Sequence, residues 1–161
     1  MVVQGQEIHV AQGLYLPDDP NGNREASFAL KSGVSILGGY AGFGAADPDQ
    51  RDIARYRTIL SGDLGDTLDE SVVIQAGIAY ERGTSEYRNS YHVVTAEDVD
   101  ATAVLDGFMI TGGTANGPGF GETQGVDPDY YRGGGIFSKH ASPTIRNCTI
   151  VGNIAFVYGG P

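Results

Sequence analysis

The residues that could do chemistry fall into three groups, each with an ordinary structural use beside the chemical one. The first is the run Asp127-Pro-Asp-Tyr-Tyr-Arg132, which sets Tyr130 and Tyr131 beside Asp127 and Asp129, while Tyr80, Tyr87 and Tyr91 border another irregular stretch. A tyrosine ring offers a flat apolar face and a hydroxyl, and a carboxylate beside it accepts hydrogen bonds, so the combination suits a sugar ring. The ligand-binding candidates are therefore Tyr130, Tyr131, Asp127, Asp129 and Tyr87. The same rings can instead seal the edges of the scaffold beneath them. The second group is Asp63, Asp66, Asp69 and Glu70, with Asp47, Asp49 and Asp52 as a further acidic cluster. Calcium takes roughly six to eight oxygen ligands, so these four acids are the candidates for it, although their spacing matches no fixed calcium loop and solvated acidic loops are the simpler reading. The third group is Asp106 with Arg146. A carboxylate and an arginine side by side are half of a site that cleaves acidic polysaccharide; they are also what a plain ion pair across two strands looks like, worth about 0 to 1 kcal/mol on an exposed face.

Other chemistries are disfavoured by type and spacing. His9, His92 and His140 have no metal-ligand spacing. Cys148 is the only cysteine, which rules out an intrachain disulfide, and as a free thiol it reads as a small apolar residue. The glycines between 112 and 125 are not followed by the Gly-Lys-Ser/Thr ending of a phosphate loop. A formal net charge of −10 repels phosphate backbones, so nucleic acid is not an expected partner. No apolar run reaches the length of about 18 to 20 residues that spans a bilayer, and the first residues lack a signal peptide's basic and apolar regions.

The elements that must position these residues are short strands. Twenty-five glycines and apolar residues at every second position fit strands cut by tight turns, whereas a helix would need a 3.6-residue period. Four segments align: Ser35-Ile-Leu-Gly-Gly-Tyr40, Thr58-Ile-Leu-Ser-Gly-Asp63, Ala103-Val-Leu-Asp-Gly-Phe108 and Pro143-Thr-Ile-Arg-Asn-Cys148, with offsets of 23, 45 and 40 positions (35 to 58, 58 to 103, 103 to 143). This alignment predicts that Leu37, Leu60, Leu105 and Ile145 stack in file about 4.8 Å apart inside a coiled chain. It predicts positive φ at Gly39, Gly62, Gly107 and Asn147, and it sets Ser61, Asp106 and Arg146 outward in neighbouring coils. A second column is Ser27-Phe-Ala-Leu30, Tyr91-His-Val-Val94 and Gly134-Gly-Ile-Phe137; a third is 7–13, 108–113 and 148–153. Three strands per coil, recurring only after a whole coil, give parallel sheets. The expected fold is all-β: a right-handed single-stranded parallel β-helix with three faces. It is one domain over 1–161 with loop insertions near 64–90 and 114–132, read as a fragment of a longer helix because Tyr158-Gly-Gly-Pro161 opens like another repeat.

Gly133-Gly-Gly-Ile136 with Ser142-Pro-Thr-Ile-Arg-Asn-Cys-Thr-Ile-Val-Gly-Asn153 resembles the repeats of chlamydial-type polymorphic membrane proteins, which carry GGA(I/L/V) and FxxN elements; here Ile150 stands where those have Phe. The upstream segments, among them Gly38-Gly-Tyr-Ala-Gly42 and Val104-Leu-Asp-Gly107, resemble pectin-lyase-like β-helix proteins. The resemblance implies an extracellular or cell-surface scaffold, adhesin-like and glycan-binding. The residues themselves call for no catalysis in this segment, since only Asp106 and Arg146 offer it, and for no cofactor other than calcium at the acidic loop, while the unpaired edge of a terminal coil predicts self-association. The alternative is a polysaccharide lyase or glycoside hydrolase acting on acidic polysaccharide, since one scaffold hosts both kinds of protein.

Overall fold

The computed structural model describes residues 5–65, 88–117 and 127–156. Thirteen short strands run through them: β1 (Gln6–Ala11), β2 (Gly13–Tyr15), β3 (Phe28–Ala29), β4 (Val34–Tyr40), β5 (Thr58–Ser61), β6 (Val94–Glu97), β7 (Val104–Asp106), β8 (Met109–Thr111), β9 (Thr114–Ala115), β10 (Ile136–Lys139), β11 (Thr144–Arg146), β12 (Thr149–Ile150) and β13 (Ile154–Ala155). One 3-10 turn, η1 (Pro128–Tyr131), precedes β10. Among the described residues no helix is long and apolar enough to cross a membrane.

Each strand pairs with one distant in sequence. Sheet A has the order β1-β4-β7-β11, sheet B β2-β5-β8-β12, sheet C β3-β6-β10, and sheet D holds β9 and β13. Every pairing in these sheets is parallel. The chain visits A, B and C twice in turn, then A, B, D and C, then A, B and D. The fourth station was not anticipated from the sequence, which suggested three strands per circuit.

Why the chain turns where it does follows from a few residues. Gly39 and Gly107 have φ of +88° and Asn147 has φ of +52°, as anticipated at the ends of the sheet A strands. Glycine carries no Cβ to clash there, and asparagine tolerates the region better than other side chains. Gly62 is an exception: it is not among the positive-φ residues, although it follows Ser61 as the positive-φ Gly112 follows the paired Thr111. Gly113 is required for a different reason, since a Cβ there would sit 1.9 Å from the carbonyl oxygen of Gly134.

Inside, like residues stack, but in different files from those the alignment suggested. In sheet A the column is Ile8, Ile36, Leu105 and Ile145. In sheet B it is Tyr15, Leu60, Ile110 and Ile150. In sheet C it is Phe28, Val94 and Ile136. Of the four residues expected in one file, only Leu105 and Ile145 share it. Leu60 lies on sheet B, and Leu37 is one place out of step, opposite Asp106. The offset from 35 to 58 is a step from one face to the next, because strands on different faces carry the same inward aliphatic and the same glycine punctuation. Ser61 is thereby removed from the neighbourhood of Asp106 and faces Thr111 instead. Residues 7–11 likewise belong to sheet A rather than to the file of 108–113 and 148–153, whose own pairing of Thr149 with Met109 and Ile150 with Ile110 is as anticipated.

The buried centre is made by Leu30, Leu60, Val93, Val94, Ala96, Val99, Ala103, Leu105, Phe108 and Ile110, with Ile36, Ile136, Ile145 and Cys148 packed against it. Leu105 has no exposed surface. Leu105→Ala is expected to destabilise the fold by about 2 to 5 kcal/mol, the range for emptying a packed aliphatic site, measured by urea denaturation. A loss below about 1 kcal/mol would contradict the stacking of Leu105 between Ile36 and Ile145.

Candidate functional site

The aromatic run lies on the outer surface beside sheet C, and a chain of ring contacts holds it there. Asp127 caps η1 by accepting the Asp129 N–H at 3.0 Å, Pro128 supplies its first residue with a preset φ, and the Arg132 N–H closes the turn on the Asp129 carbonyl. This turn lays Tyr130 on Tyr91, centroids 4.6 Å apart and 30° between planes. Beside them His92 stacks on Phe137 at 4.7 Å and lies 6.3 Å from Tyr130. The Arg24 guanidinium lies 4.1 Å above Tyr91. Its Nε donates to the Asn89 carbonyl at 2.6 Å, and its Nη2 donates to Asn116 Oδ1 at 2.6 Å and the Thr114 carbonyl at 3.2 Å. Arg24, Tyr91, Tyr130, His92 and Phe137 thus form one cation and ring cluster joining the first circuit to the third, in the range of about 0.5 to 1.5 kcal/mol per aromatic contact.

The electrostatics tie the run to its neighbours. Asp129 is committed to Lys139 Nζ at 2.5 Å and lies 3.9 Å from Arg132, and the Lys139 bond holds its carboxyl below the usual range and the Lys139 ammonium above its own. Tyr130 is half-buried, and burial together with a hydrogen bond to Glu25 pushes its phenol up. Tyr131 is half-buried as well; a Cβ on Gly117 would come within 2.2 Å of its ring, so only a glycine there leaves room for it. Burial depresses the His92 imidazole below its usual value, against the raising influence of its bond to the Gly133 carbonyl.

The second assembly is Asp106, and it departs from the expected exposed pair. Asp106 and Arg146 are adjacent across sheet A, with Arg146 Nε 3.0 Å from Asp106 Oδ2. Arg51, on the loop that follows β4, adds a contact at 3.2 Å to the same oxygen, and Asn147 Nδ2 donates to Oδ1 at 2.8 Å. The Asp106 side chain is only 3% exposed. The cause is the Arg51 loop, which folds back to make an antiparallel bridge with Tyr40 and donates from Arg51 Nε to the Gly38 carbonyl. Burial alone would raise the Asp106 carboxyl, but the bonds from Asn147, Arg51 and Arg146 together hold it below its usual range. Both carboxylate oxygens are engaged by protein donors.

The remaining candidates are dispersed. Asp63 is half-buried and accepts the Gly65 N–H at 2.9 Å. Asp66, Asp69, Glu70 and Tyr87 lie outside the described residues. Asp47 and Asp52 accept N–H groups of their own loop. Among the described residues no group of three or more His, Cys, Asp or Glu is placed to hold a metal ion. Arg24, His92, Arg51 and Asn147 were not singled out from sequence as site residues. Arg24 and Arg51 sit in turn-rich stretches with no periodicity, so no signal marked them. No protein family, curated protein or solved structure matches the chain. The likeness to pectin-lyase-like and polymorphic membrane proteins therefore rests on the quoted motifs alone.

Two outcomes follow. Asp106→Ala removes the common partner of two arginines and is expected to cost about 1 to 3 kcal/mol, as the loss of charged hydrogen bonds to a buried group does. Because the folded carboxyl is depressed, its contribution is present above the ordinary value of 3.8 and is lost as pH falls below that value. Urea midpoints across that acid window should fall more steeply for the parent than for Asp106→Ala; parallel profiles would contradict the ion cluster. For His92 the depressed imidazole means the unfolded chain binds the proton first, so stability should fall as pH drops below the ordinary value of 6.5. His92→Phe, which keeps a ring against Phe137 without a titrating group, should flatten that profile.

Proposed function

We propose that the chain is a segment of a right-handed parallel β-helix that serves as an extracellular or cell-surface scaffold, adhesin-like, with a glycan held at the aromatic cluster around Tyr130. The observation that carries this reading is the cyclic order of the sheets: each strand pairs in parallel with its counterpart one circuit away. Connections between parallel strands of one sheet are right-handed in about 98% of cases, which supplies the hand. A rigid stack of circuits presents its loops on a fixed frame, and loops on fixed frames are where binding residues concentrate. At the cluster, the half-buried Tyr130 ring and the neighbouring Asp127 and Glu25 supply an apolar face with acceptors, the pairing that sugar recognition uses. Calcium at the acidic stretch beginning at Asp63 belongs to the same reading, as does self-association through a terminal coil.

The polysaccharide lyase or glycoside hydrolase reading draws on the Asp106 contact with Arg51 and Arg146. It is the weaker reading because the Asp106 side chain is only 3% exposed and Arg51, Arg146 and Asn147 already hold its carboxylate, which bars a substrate from approaching it.

Titration calorimetry against neutral and acidic oligosaccharides tests the binding reading, with Tyr130→Ala as the variant and circular dichroism as the folding control. Binding by the parent that Tyr130→Ala weakens by at least about tenfold, or about 1.4 kcal/mol, supports it. Equal binding by both proteins, or none by either, removes the cluster as a glycan site. Release of unsaturated uronate products from acidic polysaccharide, lost in Asp106→Asn, would establish the lyase reading instead.

A further inference from the structure

We propose that His92 is a proton-operated clasp on the loop that carries Tyr130: neutral, it fastens residues 127–133 beside sheet C, and protonated in mildly acidic solution it lets them come away. The clasp is a property of the loop itself; that its release would also unseat a glycan rests on the reading above.

The fastening is geometric. After η1 the chain reverses at Gly133, where φ is +62° and a Cβ would lie 2.5 Å from the Ile136 carbonyl oxygen. His92, on the segment leading into β6 one circuit earlier, meets this reversal with Nδ1 3.2 Å from the Gly133 carbonyl. A carbonyl only accepts, so Nδ1 carries the hydrogen and donates it, which fixes the neutral tautomer and leaves Nε2 to take a second proton. The imidazole stacks on Phe137 at 4.7 Å and 24°, lies 6.3 Å from Tyr130, and is 7% exposed as a residue. One ring thus touches the hinge of the loop and the aromatic residue the loop delivers.

Charge decides what a second proton does there. The groups around the imidazole are Asp129 and Arg132 from the loop, Lys139 from β10 and Glu97 from β6, with Arg24, Glu25 and the phenols of Tyr91 and Tyr130 about the same rings. Asp129 is spent on Lys139, and Glu25 on the Tyr130 hydroxyl. Asp129 and Glu97 act on His92 through space, and together with the Gly133 and Arg132 carbonyls they favour the charged ring, but burial outweighs them. An imidazolium under the closed loop is therefore poorly hydrated, and lifting the loop is what gives it water. The closed form excludes the proton and the open form takes it at the ordinary value of 6.5, so opening is favoured as pH falls through that value, by up to about tenfold per pH unit. The opening is local. It breaks the bond from the Gly117 N–H to the Tyr130 carbonyl and leaves the pairing of β10 with β6 in place.

Hydrogen exchange at about pH 7.5 and about pH 5.5, corrected for the intrinsic pH dependence of exchange and without sugar, tests the clasp independently of glycan binding. In the parent, peptides holding the amides of Gly117 and of residues 129–133 should lose at least about threefold in protection at the lower pH, while β6 keeps its own. His92→Phe, which retains a ring against Phe137 and cannot titrate, should show equal loop protection at both. Should that variant fail to fold by circular dichroism, NMR titration of the His92 Cε1 proton in the parent decides, with a midpoint below 6.5 that coincides with the loss of loop protection as the expected result. The proposal is overturned by parent loop protection that does not change with pH, by a loss that persists in His92→Phe, by β6 opening in step with the loop, or by a His92 midpoint at or above 6.5.

Discussion

The structure depends on one constraint: a strand's edge is satisfied only by the strand one circuit away. Consecutive strands lie on different sheets, so none of the hydrogen bonds of a hairpin is available to them. Each coil must therefore present its strands at the same height as its neighbour's, and the side chains that enforce this are the inward columns, such as Ile36, Leu105 and Ile145. A one-residue slip would exchange the inward Leu105 for the outward Asp106, replacing a buried aliphatic with a charge. That penalty keeps the register while loops of different length leave the coils.

The same constraint accounts for the two polar assemblies. Two described loops return against side chains that the parallel pairing has already set in file. The loop after β4 returns with Arg51 and completes a cluster on Asp106, which sits in file with Arg146. The segment ending in η1 returns with Tyr130 and completes a stack on Tyr91 beside His92. Asp106 of β7 is covered by Arg51 from the preceding circuit, and Tyr91, just before β6, is covered by Tyr130 from the following one. Each loop is thereby tied to a different coil, so loop and stack hold each other.

How much of this was legible in the sequence follows from the range of each signal. Alternation and glycine spacing are local, and they disclosed short strands, parallel recurrence and the positive φ at Gly39, Gly107 and Asn147. Register is not local. The segments at Ser35 and Thr58 share an aliphatic and a glycine because both are strands entering a corner, yet they occupy different faces, and their likeness suggested a coil of 23 residues where one step of the circuit was present. The pairing of Ile145 with Leu105 was legible because residues 103–108 and 143–148 carry the same aliphatic and turn residues at the same station on successive circuits, whatever the length of the loop between them. The Asp106 and Arg146 contact was read from that same alignment. The burial of Asp106 was not, because it depends on Arg51, whose position is decided by how a loop folds back and not by any period.

The cluster at Tyr130 shows why a loop's composition alone does not separate binding from sealing. Asp129, equally prominent in sequence, is consumed by Lys139, a residue ten positions later that a strand brings underneath it. Asp127 is partly consumed as well, by capping the turn that lifts Tyr130 into place. Tyr130 itself is tied by a hydrogen bond to Glu25, an acid brought from the first circuit rather than from the adjacent sequence. Because Tyr130 also joins its loop to Tyr91, a ligand held there, as proposed above, would bear on the contact that ties the third circuit to the second. Binding and the cohesion of the stack are then coupled through one ring, and tightening either stabilises the other by the same amount.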